Sequence, residues 1–105
     1  MYEYKAKIIR VIDGDTIDAE VDLGFNIKMV MKIRLAGINA PEMNTQEGKR
    51  TKDALLTLIE GENVTLLSIK DKQEKYGRYL GAIVKDNKNV NEWLVEQNMA
   101  VRYNG

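Results

Sequence analysis

The stretch "TIDAEVDLGFNIKMVMKIRL", residues 16–35, decides the fold because apolar and polar side chains alternate on both sides of a glycine-containing break. Residues 16–23 place an apolar side chain at every second position, and residues 27–35 repeat the alternation. Such alternation is typical of half-buried β-strands, and residues 24–26 suit the short loop of a hairpin. We therefore predict two antiparallel strands joined by this loop.

The length of the loop sets the register of the hairpin. The predicted pairs are Asp22 with Lys28, Asp18 with Lys32 and Thr16 with Arg34. Opposed charges on neighbouring strands stabilise a sheet by roughly 0.2–1 kcal/mol per pair, so the acidic run is predicted to be an exposed face matched with basic residues. Asp13 and Asp15 lie outside this face, in the turn "DGDT" that the same register brings beside Leu35 and Ala36.

Patterns on either side of the hairpin predict a mainly β chain with two helices. The further elements are a strand over residues 2–12, a helix over 45–61 that stops at Gly61, strands over 64–69 and 78–84 around a polar turn at 70–77, and a helix over 90–98 that begins at Asn89 or Asn91 and buries Trp93 and Leu94. Five strands with this order favour a small closed barrel, with one helix between the third and fourth strands and a short C-terminal helix. An open mixed sheet is the alternative.

Composition narrows the classes of protein and of chemistry. At 105 residues the chain is predicted to be a single domain, residues 1–105. Lysine plus arginine and aspartate plus glutamate both number 16, and histidine and cysteine are missing. This balance excludes a strongly basic nucleic-acid-binding domain, and the missing residues exclude a thiolate zinc site, a disulfide framework and a histidine base. Any catalysis must use carboxylates, arginines, lysines, tyrosines and oxygen-bound metals.

The same sequence sets expectations about location and assembly. No apolar run approaches the roughly 20 residues that span a bilayer. We expect a soluble monomer with no membrane partner. As given, the chain is expected in the cytoplasm, or secreted if an export signal has been trimmed from it.

The stretch "IRLAGINAPE", residues 33–42, ends the second hairpin strand with polar groups. Pro41 is predicted to prevent Asn39 and Ala40 from joining a regular ladder and to hold the chain extended just before Glu42, so Arg34 and Glu42 flank a strand end. A simple salt bridge between these two residues is one interpretation. By the same token, "DGDT" can be a plain turn and Arg78 the outward start of a strand. The basic stretch "GKRTK" is interpreted as a solvated helix face.

Taken together and in order, the motifs resemble one known family. The motifs are "VIDGDTI", "RLAGINAPE", "KYGRYLGAI" and "VNEWLVEQNMA". Their order and intervals are similar to those of the staphylococcal nuclease, or thermonuclease-like, family over about residues 5–103. The resemblance implies an OB-fold barrel with a helix inserted between the third and fourth strands, in agreement with the elements predicted above.

The resemblance also implies a reaction and its catalytic residues. Arg34, Glu42 and Arg78 match the catalytic trio of the family. The implied reaction is calcium-dependent hydrolysis of phosphodiester bonds in DNA, especially single-stranded DNA, and in RNA, which leaves 3′-phosphates. The residue types suit this chemistry, because two arginines can receive the charge that develops on the phosphoryl oxygens and a glutamate can activate water.

Metal and substrate ligands follow from the same resemblance. Asp15 matches a calcium-binding aspartate, Asn39 stands where a second such aspartate is common, and the Ala40 carbonyl is a further ligand. Lys75 and Tyr76 match residues that hold a terminal phosphate of the nucleotide. Because Asn39 is neutral, we expect weak calcium binding, or a contribution from Asp13 or Glu42.

Tyr103 is a candidate for stacking on a base, or else a frayed terminal tyrosine.

Two other classes of function stay open for the chain as a whole. They are a non-catalytic OB-fold module that binds single-stranded nucleic acid, and a protein-interaction barrel. The joint presence of Arg34, Glu42 and Arg78 argues against simple binding, which has no need for a carboxylate beside a phosphate.

Overall fold

The computed structural model describes residues 2–73 and 78–104 of the chain. Eight strands and two helices lie within these residues. The strands are β1 Tyr2–Asp13, β2 Thr16–Gly24, β3 Ile27–Leu35, β4 Ile38–Asn39, β5 Asn63–Gln73, β6 Tyr79–Lys85, β7 Lys88–Asn89 and β8 Val101–Arg102. The helices are α1 Gln46–Ile59 and α2 Val90–Glu96. Neither helix is long and apolar enough to cross a membrane.

The five long strands close into a barrel. Their order is β3-β2-β1-β5-β6, and β3 pairs with β6 as well as with β2. The β3–β6 pairing is parallel, whereas the other long-strand pairings are antiparallel. Since β3 and β6 close the sheet, the predicted five-stranded OB-fold barrel is confirmed and the open sheet is wrong. Helix α1 lies between the third and fourth long strands, as predicted.

The register of the β2–β3 hairpin is also confirmed. Asp22 lies opposite Lys28, Asp18 opposite Lys32 and Thr16 opposite Arg34. The loop uses three consecutive residues with positive φ: 84° at Gly24, 54° at Phe25 and 61° at Asn26. Asp22, Lys28 and Lys32 are exposed on this face, whereas Asp18 is half-buried. The Asp18 Oδ2 atom lies 3.1 Å from the guanidinium of Arg10 on β1.

Alternating side chains of the long strands fill the barrel, and the two helices close it. Among the fully buried side chains, Ile8, Ile17, Ile33 and Ile83 come from strands, Leu55 and Ile59 from α1, and Val90 and Leu94 from α2. Each such side chain contributes about 1.5–3 kcal/mol relative to exposure. Trp93 is only half-buried, with the Lys88 ammonium 5.3 Å from its ring centre.

Two local predictions need correction, and the structure decides between the two predicted starts of α2. Asn39, predicted to stay out of a regular ladder, pairs with Val101 because the short β4–β8 ladder ends before Pro41. Strand β5 continues to Gln73, through half of the stretch predicted as a polar turn, because its pairing resumes at Gln73 and Tyr79 after an irregularity. Helix α2 begins after Asn89, whose side chain accepts a hydrogen bond from the Glu92 N–H. Asn91, the other predicted start, is buried inside the fold instead.

Candidate active site

The turn between β1 and β2 is held tightly against the segment after β3. The Asp15 N–H donates to Asp13 Oδ1 over 3.0 Å, which closes the turn locally. A Cβ atom on Gly14 would lie 2.7 Å from the Ala40 Cβ and 2.7 Å from the Thr51 Cγ2. Only glycine therefore lets the turn approach this closely, and the approach brings the Asp15 carboxylate to the Ala40 backbone.

The Asp15 carboxylate makes polar contacts with three residues of the site. Its Oδ2 accepts a hydrogen bond from the Ala40 N–H at 2.9 Å and lies 3.4 Å from Arg34 Nη2. Its Oδ1 accepts a hydrogen bond from the Thr16 hydroxyl at 3.2 Å. Burial, followed by the hydrogen bond with the Asp13 side chain, raises the pKa of Asp15 above its usual 3.8, against the opposing effects of the Ala40 amide and the Arg34 guanidinium.

Arg34 is held in a fixed orientation at the end of β3. Its Nη1 donates to the Leu35 carbonyl at 2.7 Å, and its Nη2 donates to Asn39 Oδ1 at 3.1 Å. The side chain is only 11% exposed, so it forms a largely buried ion pair with Asp15. Arg34 pairs with Asp15 and not with Glu42, so the simple strand-end salt bridge considered from sequence is wrong.

Arg78 also contacts the start of β2, from the position just before β6. It stands immediately before β6, which runs parallel to β3 with Leu80 opposite Arg34. The Arg78 Nη1 donates to the Thr16 hydroxyl oxygen at 3.2 Å. Two arginines that are far apart in sequence therefore contact the neighbouring residues Asp15 and Thr16.

Glu42 is positioned by its backbone, with an exposed side chain. Its carbonyl oxygen accepts hydrogen bonds from the Thr45 N–H at 3.0 Å and the Thr45 hydroxyl at 2.6 Å. Thr45 also caps α1, because its hydroxyl oxygen accepts from the Gly48 N–H. Any Cβ on Gly48 would overlap the Glu42 carbonyl, so the glycine allows this segment to lie against the first turn of α1.

The substrate residues predicted from sequence fall in two places. Lys75 and Tyr76 lie outside the described residues. Tyr103 follows β8, which pairs with β4 so that Val101 lies opposite Asn39. The Tyr103 N–H donates to the Gly37 carbonyl at 2.9 Å, while its side chain stays exposed. Its backbone is thus not frayed, and the C-terminal segment lies beside the segment that carries Asn39.

The oxygen atoms near Arg34 are of the type that hard cations prefer. Asp15 Oδ2 and Asn39 Oδ1 both lie within 3.4 Å of Arg34 Nη2, and Ala40, whose carbonyl is the third predicted ligand, follows Asn39 in sequence. Carboxylate, amide and backbone oxygens are calcium ligands. Within residues 2–73 and 78–104, however, no three acidic, histidine or cysteine side chains group as a metal cluster. The donors thus fit an oxygen-liganded cation by type, with few negative charges to hold it.

Two buried polar residues support the site and were not recognised from sequence. Thr16 is 3% exposed and joins Asp15 to Arg78. Asn91, also 3% exposed, donates to the carbonyls of Ala36 and Gly81 and accepts from the Ile83 N–H. It thereby connects α2 to the chain after β3 and to β6. The pairing of Thr16 with Arg34 was an available signal for Thr16, whereas Asn91 resembled a helix cap.

Comparison with known proteins agrees with this architecture. The chain is 33% identical over 98 residues to an uncharacterised endonuclease of Escherichia coli. The aligned region covers 92% of the chain and 60% of that protein. It is 36% identical over 110 residues to Protein ParB of Escherichia coli, covering 96% of the chain and 58% of the relative. A micrococcal nuclease of Shigella flexneri is 29% identical over 111 residues, covering 96% of the chain and 59% of the relative.

The chain thus spans about three-fifths of the length of these curated relatives. The family model described as staphylococcal nuclease homologue matches residues 32–105, from within β3 through Arg34, Glu42 and Arg78 to the last residue. This match covers more than half of the chain, including the end of β3, both helices, β5 and β6, whereas β1 and β2 precede it. On that evidence, the chain belongs to the staphylococcal nuclease family.

Proposed function

We propose that this chain acts as one catalytic domain that hydrolyses phosphodiester bonds in DNA, especially single-stranded DNA, and in RNA, leaving 3′-phosphates. The observation that carries the proposal is the meeting of Arg34 and Arg78 at Asp15 and Thr16, with the exposed carboxylate of Glu42 on the segment that follows. Membership of a nuclease family and the nuclease names of several relatives support it.

In this proposal the two arginines stabilise the charge that develops on the phosphoryl group. A guanidinium has five N–H donors, so Arg34 retains donors for a phosphate after its bonds to Leu35 and Asn39. Planar guanidinium groups bind phosphate oxygens through two parallel hydrogen bonds, which a lysine cannot reproduce. Because Arg34 is already oriented by buried contacts, little reorganisation is needed when the transition state forms.

Glu42 is proposed as the general base that takes a proton from the attacking water. The chain has no histidine, and the Glu42 carboxylate is exposed while its backbone is anchored to Thr45. An anchored backbone with an accessible carboxylate suits a group that must meet a water molecule beside the phosphate. Within the proposed trio, Glu42 is the carboxylate, since both arginines have donors and no acceptor.

We propose calcium as the cofactor, held weakly by Asp15, Asn39 and the Ala40 carbonyl. When bound, the cation would neutralise phosphate charge and act as a Lewis acid. Arg34 contacts Asp15 and Asn39 together, so the same oxygens that would hold the cation also orient the arginine.

Three further residues are proposed to bind the substrate. Lys75 and Tyr76 would hold a terminal phosphate. Tyr103 would stack on a base, a role supported by its exposed ring and its anchored backbone.

The test is digestion of a labelled single-stranded DNA oligonucleotide with calcium, with and without a chelator. We expect calcium-dependent cleavage in the wild type and a loss of about 10²–10⁴-fold in kcat for Glu42→Gln. Arg78→Ala is expected to lose at least about 10²-fold. Matched controls are Glu96→Gln and Arg50→Ala, which remove the same groups from exposed helical positions. An intact oligonucleotide that shifts in a gel would instead indicate a non-catalytic binding module.

A further inference from the structure

A single buried hydroxyl joins the two halves of the site. Thr16 is the first residue of β2 and is 3% exposed, among side chains that are otherwise apolar in the barrel wall. It lies opposite Arg34 in the β2–β3 ladder. Its position therefore places one hydroxyl between the strand that carries Arg34 and the segment that carries Arg78.

The hydroxyl uses both of its hydrogen-bonding functions there. It donates to Asp15 Oδ1 at 3.2 Å and accepts from Arg78 Nη1 at 3.2 Å. The other oxygen of Asp15 is 3.4 Å from Arg34 Nη2. A continuous chain of polar contacts thus runs from Arg78 through Thr16 and Asp15 to Arg34.

We propose that Thr16 is a positioning residue, whose hydroxyl holds the Arg78 guanidinium in the orientation required for catalysis. This inference rests on the proposed nuclease function. An arginine side chain has many rotamers, so rotamer entropy opposes fixing it in one orientation. A hydroxyl already committed to Asp15 as a donor presents its lone pair to Arg78, so the same contact aligns the second arginine with the first.

Isosteric variants separate this role from ordinary packing. Thr16→Val keeps the shape and burial of the side chain but has neither a donor nor an acceptor. Thr16→Ser keeps the hydroxyl and loses a methyl group. Thr51→Val is the matched control, because Thr51 is 1% exposed and its hydroxyl donates at 2.7 Å to the Met99 carbonyl and not to a residue of the site. Valine also keeps the methyl group that faces Gly14.

Cleavage kinetics and thermal unfolding would be measured for all three variants. We expect Thr16→Val to lower kcat by about 10–100-fold with KM within about threefold, since misplacement of a catalytic group by about 1 Å can cost this much. Thr16→Ser should stay within about threefold of the wild type. Thr51→Val should lower the unfolding temperature as much as Thr16→Val does, with kcat within about threefold.

A double-mutant cycle with Arg78→Ala decides the mechanism. Measured with enzyme in excess over labelled oligonucleotide, Thr16→Val should cost at most about threefold once Arg78 is absent. The positioning role of Thr16 would be overturned, and the proposed function kept, by either of two results. One is an equal loss from Thr16→Val in the wild type and in Arg78→Ala, and the other is full kcat in Thr16→Val while Arg78→Ala is impaired. An inactive wild type, or an Arg78→Ala variant as active as the wild type, would overturn the proposed function, and the role of Thr16 would fall with it.

Discussion

The β2–β3 hairpin carries two aspartate–arginine contacts that differ in their surroundings. On its outer face the Asp18 carboxylate, which is 19% exposed, lies 3.1 Å from Arg10, whose side chain is 63% exposed, and 3.8 Å from the Lys32 ammonium. At its end Asp15 lies 3.4 Å from Arg34, and both side chains are at most 13% exposed. The longer contact is the more constrained one, because the Ala40 amide and the Thr16 hydroxyl also bind Asp15. The comparison teaches that burial of the arginine and additional hydrogen bonds to the aspartate, rather than distance, set the Asp15–Arg34 pair apart from the Asp18–Arg10 pair.

The largest effect should come from breaking the buried pair. Arg34→Met leaves Asp15 partly buried without its cation, so we expect at least about 10²-fold lower kcat and about 1–3 kcal/mol lower free energy of unfolding. The matched change on the exposed pair, Arg10→Met, should cost less than about 1 kcal/mol and leave kcat unchanged. Urea denaturation and oligonucleotide cleavage measure the two quantities. Equal costs at the two positions would show that burial does not distinguish the pairs.

Two glycines extend the comparison to the backbone. Gly48 lies against the Glu42 segment, and Gly24 lies at the hairpin loop. In Gly48→Ala the new methyl group would overlap the Glu42 carbonyl, so the Glu42 segment or the first turn of α1 must move. We expect a loss of about 1–3 kcal/mol in unfolding free energy, with reduced cleavage. Gly24→Ala, at the hairpin loop, meets no atom within 4 Å and bears only the strain of φ +84°, which is about 1 kcal/mol. Unaltered cleavage by Gly48→Ala would contradict the placement of Glu42.

A third experiment adds a negative charge at the exposed residue Asn39, beside the buried Asp15–Arg34 pair. Asn39→Asp keeps an oxygen that can accept from Arg34 Nη2 and gives the proposed cation site a second carboxylate. Because ligand charge is a main determinant of calcium affinity, we expect calcium to bind about tenfold more tightly. Isothermal titration of the two proteins with calcium measures this directly. No gain in affinity would show that the cation is not held at Asn39.

The smallest expected effect is on the pH dependence of stability. Because the pKa of Asp15 is raised in the folded chain, the folded state binds the proton more tightly than the unfolded state does. This stabilising contribution is therefore complete below the unfolded-state pKa and is lost as pH rises through the raised, folded-state pKa. Urea denaturation across acidic pH, in chelator, should show the loss in the wild type. The Asp15→Asn variant should not show this loss of unfolding free energy. Identical pH profiles for the two proteins would refute the contribution of Asp15.

Much of the fold and of the site was predictable from local pattern. Strict alternation and one glycine-containing loop were sufficient for the hairpin register, which in turn placed Thr16 opposite Arg34. The motif around Pro41 correctly indicated a polar strand end. The continuation of β5 to Gln73 was not predictable, because a polar strand that pairs at long range has the same composition as a turn.

The sequence by itself determined the strands, the hairpin register, the class of chemistry and the resemblance that pointed to Arg34, Glu42 and Arg78. These follow from periodicity and from residue types, which are local properties of the chain. Only the tertiary structure decided that Arg34 pairs with Asp15, that Thr16 joins Asp15 to Arg78, and that Asn91 is buried between α2 and β6. The physical reason is that hydrogen-bond partners of buried polar groups are selected by barrel closure, which brings together residues distant in sequence.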